Sequence, residues 1–174
     1  MGERPRFLKK FEVWEKRRKI AELFREALEA ENRGELETAK KKLDEIMELS
    51  RDEFPGIYFE ACFKLAEVFF EEENYRGCVK CALRALYNAP SWDLYILGAK
   101  RLRDILFILK QRGLLDSLKE NMAPTCKLIE GNPELCSFVK ALISIAEGNR
   151  EIEKYLDEIS TPEIKEILTI LLRE

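Results

Sequence analysis

Apolar residues recur along this chain three and four positions apart almost from end to end, the period of helices that bury one face. The clearest stretch runs from Cys62 to Pro90. There Leu65, Ala66 and Phe69 fall on one stripe and Cys78, Ala82 and Ala85 on a second, with a polar turn between them. Small residues on both stripes predict two helices in close approach, because no bulky side chain holds their axes apart. Phe69 and Leu83 supply volume beside that contact, and Pro90, lacking an N–H, ends the second helix. Ser91 is placed to cap the next helix, with Asp93 in its first turn. One such hairpin cannot cover both of its apolar faces, so it predicts neighbours of the same kind.

Neighbours of that kind lie on either side. Ile20, Leu23, Phe24, Ala27 and Leu28 form one face of a helix ending near Asn32, Gly34 turns the chain, and Leu36, Ala39, Leu43, Ile46 and Met47 return. Pro55 opens the central pair. Residues 91–111 predict one long helix with Tyr95, Gly98, Leu102, Ile105 and Leu109 on its inner stripe. Ile96, Leu97, Phe107 and Ile108 widen that stripe and predict burial on two sides. Between Gly113 and Pro124, Leu114, Leu115, Leu118 and Met122 leave room only for a kinked or broken helix. Asn132-Pro133-Glu134 starts the next, which carries Leu135, Phe138, Val139, Leu142 and Ile145 to Gly148. Ile152, Tyr155, Leu156 and Ile159 predict a return. Ser160 and Glu163 then form a capping-box pattern before a last helix that aligns Ile164, Ile167, Leu168 and Leu171. The prediction is an all-α chain of about nine helices.

The Cys62–Pro90 stretch resembles the tetratricopeptide repeat, a 34-residue helix–turn–helix unit with consensus Trp-x2-Leu-Gly-x2-Tyr, Ala-x3-Phe, Ala and a closing Pro. The matching run is Cys62, Leu65, Ala66 and Phe69, then Cys78 and Ala82, then Ala85 and Pro90. Cys62 stands for the tryptophan, Ala66 for glycine, Cys78 for alanine and Ala82 for phenylalanine. Ala27, Gly34, Leu36 and Ala39 reproduce the small-residue and turn positions, and Pro55, Pro90 and Pro124 lie 35 and 34 residues apart. Outside the central hairpin the pattern is degenerate. The resemblance implies antiparallel hairpins stacked as a short right-handed superhelix over residues 19–160. A basic, helical extension (1–18) would precede it and a capping helix (161–174) follow.

The same resemblance implies a protein–protein adaptor that holds a peptide or helix in a concave groove lined by each hairpin's first helix. The family's inner-face positions fall on Glu60, Phe63, Lys64, Glu67, Phe70 and Glu71, which also share one helical stripe by spacing. The following long helix offers Lys100, Arg103, Phe107 and Lys110, with Arg101 adjacent. Phe63 and Phe70 equally suit packing under the neighbouring hairpin, and the basic row better suits a solvated face. The family's Lys/Asn/Arg carboxylate clamp has no counterpart that can be placed, so chaperone C-termini are not expected partners.

Composition narrows the classes. At 174 residues, 46% hydrophobic and 36% charged with net charge −3, the chain reads as one soluble globular domain. It has no histidine and a single glutamine, while Glu and Lys abound, a bias resembling proteins of hyperthermophiles. Met1 to Lys19 is charged throughout, and apolar runs such as Ile105–Leu109 and Ile170–Leu172 fall far short of the roughly 20 residues that span a bilayer. A cytoplasmic location without a membrane partner is the expectation. Within residues 1–18, Arg4, Arg6, Lys9, Lys10, Lys16, Arg17 and Arg18 outnumber Glu3, Glu12 and Glu15, with Phe11, Val13 and Trp14 among them. That segment reads either as a contact for nucleic acid or an acidic partner, or as a helical extension whose aromatics cover the first hairpin. Self-association through the last helix is a further reading.

Chemistry finds little support. Cys78-Val-Lys-Cys81 is a C-x-x-C, but a zinc site would need a second pair or histidines. Cys126 and Cys136 are ten residues apart. Cys62 and Cys78 fall on packing stripes, where a free thiol serves as a small apolar group. A disulfide is compatible only with the hyperthermophile exception to reducing cytosols. No glycine-rich phosphate loop follows a strand, and without histidine no base stands beside a nucleophile. Neither a cofactor nor enzymatic activity is expected.

Overall fold

The computed structural model describes Gly2 and residues 5–173; Met1, Glu3, Arg4 and Glu174 lie outside the described residues, so the basic N-terminal run is followed from Arg6. The described residues form nine α-helices and one 3-10 turn, with no strand. Five long helices come first: α1 (Arg6–Asn32), α2 (Leu36–Ser50), α3 (Pro55–Glu71), α4 (Tyr75–Tyr87) and α5 (Trp92–Gln111). Each packs on the next, and the α1–α2 and α3–α4 pairs make the broadest contacts. The 3-10 turn (Leu115–Leu118) and the single-turn α6 (Thr125–Leu128) then lead to α7 (Pro133–Ala146), the single-turn α8 (Glu153–Leu156) and α9 (Pro162–Leu172).

Small residues line the central contact as the spacing predicts. Ala61, Cys62 and Ala66 of α3, Cys78, Ala82 and Ala85 of α4, and Ala99 of α5 are all buried. Gly98 lies in the same layer, and a methyl group on it would fall 2.9 Å from Leu86 Cδ1. The Ser91 hydroxyl accepts from the Leu94 N–H at 3.2 Å, Asn74 Oδ1 from Gly77 at 2.9 Å and Asn132 Oδ1 from Leu135 at 3.1 Å, so α5, α4 and α7 each start on a side-chain cap.

Three expectations change. The broad apolarity of α5 does not mean burial on two sides: Leu97, Phe107 and Ile108 are exposed. Its buried residues Tyr95, Gly98, Ala99, Leu102, Leu106 and Leu109 form one face, and the helix packs on α4 and α9. The return after Gly148 is one turn of helix, although Ile152 and Ile159 are buried as the pattern requires. The Ser160–Glu163 capping box does not form; Thr161 is the N-cap residue of α9 and makes no cap bond within that helix. Instead Glu134, at the start of α7, takes the donors. Its Oε1 accepts from the Ser160 and Thr161 N–H groups at 3.2 and 2.9 Å, and its Oε2 from the Thr161 and Tyr95 hydroxyls at 2.7 Å each. At the other end of α9 the Lys110 ammonium donates to the carbonyls of Ile170, at 2.9 Å, and Arg173, and Arg150 donates to that of Leu172. An anion at its N-terminus and cations at its C-terminus therefore hold α9, the signs its dipole favours. Its Ile164, Ile167, Leu168 and Leu171 are buried, as their shared face predicts, and the helix packs on α5 and α7.

Four helices end in the same left-handed turn. Gly34, Gly113 and Gly148 follow α1, α5 and α7 with φ of +77°, +68° and +88°. The next N–H in each case reaches back five residues, as Glu35 does to the Ala30 carbonyl at 2.8 Å. After α3 the same position holds Glu73 at φ +61°, where a side chain is disfavoured.

Replacing Glu73 by glycine is expected to stabilise the fold by about 1 kcal/mol, read as a higher urea midpoint at unchanged m-value; an unchanged or lower midpoint would show that the Glu73 side chain has a compensating role. Glu134→Gln is expected to cost about 2 kcal/mol, since an amide cannot accept from all of these donors. Burial pushes the Glu134 carboxyl up, but the hydrogen bonds from Thr161, Tyr95 and Ser160 outweigh it and hold the group below its usual range. Its contribution is thus present above the unfolded carboxyl pKa and lost as pH falls through the lower folded value. Wild type and variant should therefore converge in stability on acidification, which thermal melts across that range would check.

Candidate functional site

The stripe of α3 next to its packing face points into a groove of about 820 Å³ between α3 and α5. The helical period places Glu60, Phe63, Lys64, Glu67, Phe70 and Glu71 there together, one step around from Cys62, Leu65, Ala66 and Phe69. From α5 come Arg101, Asp104, Ile105 and Ile108, from α1 Glu31 in its last turn, and from α4 Cys78. The lining has an apolar part, made of both phenylalanines, both isoleucines and the thiol. Around it stand five carboxylates, Glu31, Glu60, Glu67, Glu71 and Asp104, and two cations, Lys64 and Arg101.

The two cations are already engaged. Lys64 Nζ donates to Glu67 Oε2 at 2.7 Å and stands 3.9 Å from Glu31. That hydrogen bond to Glu67 is the main cause that raises the ammonium pKa. Arg101 reaches Glu60 Oε2 at 3.1 Å and lies over the Phe63 and Phe59 rings at 5.1 and 5.7 Å from their centroids. Partial burial first, and then the charges of Glu71 and Glu67, hold the Glu31 carboxyl above its usual range against the pull of Lys64. The rim therefore carries carboxylate charge that its own cations do not neutralise. The two aromatic rings differ in access. Phe63 is buried, edge-on to Phe59 at 5.2 Å, while Phe70 is half-buried between Tyr75 and the Arg112 guanidinium.

Seven of the eleven residues expected in a groove, the six of α3 and Arg101, do line it. Lys100, Arg103, Phe107 and Lys110 do not. Lys100 is exposed outside it. Arg103, Phe107 and Lys110 instead border a smaller cleft of about 380 Å³ against Ile170 and Arg173, with Arg103 paired to Asp104 at 3.1 Å. The cause is helical phase: the groove-facing row of α5 runs Arg101, Asp104, Ile105, Ile108, about 130° around the helix from the row that starts at Lys100. Starting the row at Arg101 would have found it, because Glu60 on the facing stripe offers the guanidinium a partner. Glu31 and Cys78 join from other helices and left no such local signal.

The thiols sort into two groups. All five are free. Burial pushes Cys62 up to about 11 and Cys78 and Cys81 up to about 12, so each is a protonated thiol near neutrality, poor as nucleophile or metal ligand. Cys126 and Cys136 are half-buried, and the Cys136 thiol donates to the Cys126 carbonyl at 3.5 Å. Among the described residues no three acidic, cysteine or histidine side chains gather as a metal site. None of the described helices is long and apolar enough to cross a membrane. No family model, curated protein or solved structure matches the chain.

Native protein treated with iodoacetamide near neutral pH is expected to label first at Cys126 and Cys136, with Cys62, Cys78 and Cys81 labelled only on denaturation. Peptide mass mapping checks the order, and early labelling of Cys81 would contradict its burial.

Proposed function

We propose that this chain is a protein–protein adaptor of tetratricopeptide-like hairpins, which holds a basic, apolar helix or peptide in the groove between α3 and α5. The observation that carries this reading is the pairing of an aromatic lining with excess rim carboxylate, a surface complementary to a segment bearing both Lys/Arg and large apolar side chains. A ligand cation entering beside Glu31, Glu67 and Glu71 relieves like-charge repulsion in a partly desolvated place, where the interaction is stronger than in open water. An apolar ligand side chain resting on Phe70 and Ile108 removes from water two hydrophobic groups the fold leaves partly exposed, worth roughly 2 kcal/mol. Charge then provides register and speed of encounter, and the apolar contact provides most of the residence time. Binding, with no bond made or broken, is the role that fits.

The test is fluorescence polarisation with a panel of labelled helical peptides that carry Lys or Arg beside Phe or Trp, set against acidic peptides of equal length. Basic–aromatic peptides should bind and acidic ones should not. Glu67→Lys with Glu71→Lys should weaken binding at least tenfold while leaving the melting temperature nearly unchanged, because both side chains are exposed. Acidification should weaken binding at a pH above the ordinary glutamate range, since Glu31 protonates early. Equal binding of acidic and basic peptides would remove the proposal.

A further inference from the structure

The first turns of α1 project beyond the packed body. From Arg6 to Lys19 only Val13 and Lys16 are even partly covered, and Ile20 is the first buried residue. Fourteen residues of helix span about 21 Å at 1.5 Å per residue. On this arm Phe7, Phe11 and Trp14 are 70%, 52% and 54% exposed, and the Phe11 and Trp14 rings stack at 5.9 Å. At 100° per residue these three align on the side of the helix opposite Ile20, Leu23 and Ala27, which face the core. The aromatics therefore do not cover the first hairpin. The arm joins the body where Lys16 pairs with Glu53 and Arg17 lies over Phe54.

From Arg6 to Lys19 the arm carries seven basic residues against two acidic, a net +5, while the groove lining carries five carboxylates against two cations, a net −3. We propose that the groove is occupied by the N-terminal arm of a second copy of this chain, with Phe11 and Trp14 on its apolar lining and the arm's lysines and arginines against its rim. This rests on the groove reading above and names the partner. Three features of the molecule select that occupant. The arm has the basic–aromatic chemistry that the groove complements, and its stripe faces away from its own body. The arm is also already helical, so docking costs no folding entropy. A chain cannot fill its own groove, because Trp14 and Glu31 lie about 26 Å apart along one continuous helix. Arm and groove are different surfaces, so the contact is heterologous: copies add head to tail, into a ring if the rotation closes and an open string if it does not.

Sedimentation velocity over a concentration series decides it. Wild type should show a mass that rises with concentration and falls with added salt, as charge-assisted docking requires. The arm variant Phe11→Glu/Trp14→Glu and the groove variant Glu67→Lys/Glu71→Lys should each be monomeric with unchanged melting. Mixed together they should form a dimer that grows no further, since the first keeps an intact groove and the second an intact arm. A wild type that stays monomeric throughout, or one whose association neither variant alters, overturns the proposal. So does an arm that binds an RNA oligonucleotide or anionic vesicles while the chain stays monomeric. A peptide of residues 5–19, run beside the unrelated basic–aromatic peptides, separates the two readings. If those peptides bind the groove and residues 5–19 do not, the adaptor stands and self-docking falls; if neither binds, both fall.

Discussion

Close approach of α3, α4 and α5 through alanine, glycine and cysteine is the constraint on which the rest of this molecule depends. A Cβ on Gly98 would sit 2.9 Å from Leu86 Cδ1 and 3.3 Å from the Phe59 ring, so the axes cannot separate or rotate without loss of contact. Each central helix spends one stripe on this contact and must place its bulk elsewhere. On α3 the bulk goes to the flanks: Phe59 inward, Phe63 and Phe70 toward α5. The groove is thus a by-product of how tightly the hairpin is packed. Its lining is made of side chains that the small-residue seam excludes.

Charge performs a different task in each part. Around α9 it is satisfied: Glu134 collects donors at one end, while Lys110 and Arg150 meet carbonyls at the other. Around the groove it is not, because Lys64 and Arg101 are outnumbered and Glu31 is held against its own preference. Paired charges mark where the fold is closed. An excess of one sign marks where it is open to something else. The thiols also divide by burial, with three buried in α3 and α4 and two half-buried in α6 and α7.

Much of this could be read along the chain, because the informative signals are local. Ser91, Asn74 and Asn132 cap helices where a short polar side chain precedes an apolar period, and Gly34, Gly113 and Gly148 turn the chain where positive φ is needed. The broken segment after Gly113 was legible from the distance to Pro124 alone. What escaped depends on contacts between distant residues. Glu134 reads as an ordinary first-turn acid of α7; that it holds Thr161, 27 residues on, appears only when α7 and α9 meet. The phase of α5 could not be fixed from its pattern, since apolar residues nearly encircle it and the tertiary neighbours decide which of them stay wet. In the groove, the α3 stripe was legible because its sequence already separates packing from surface, and Glu31 was not because it arrives from another hairpin.

From Arg6 to Asn32 helix α1 contains no proline or glycine, and no break interrupts it between its uncovered aromatic end and the carboxylate it lends to the groove. It is a stiff rod anchored by Ile20, Leu23, Ala27 and Ala30, all buried along its C-terminal half. A load on the tip is therefore borne by that packed half and not by a bend in the helix. Glu31 stands directly beyond the last of these anchors, so the rod that carries the aromatic end also fixes where that carboxylate meets the groove.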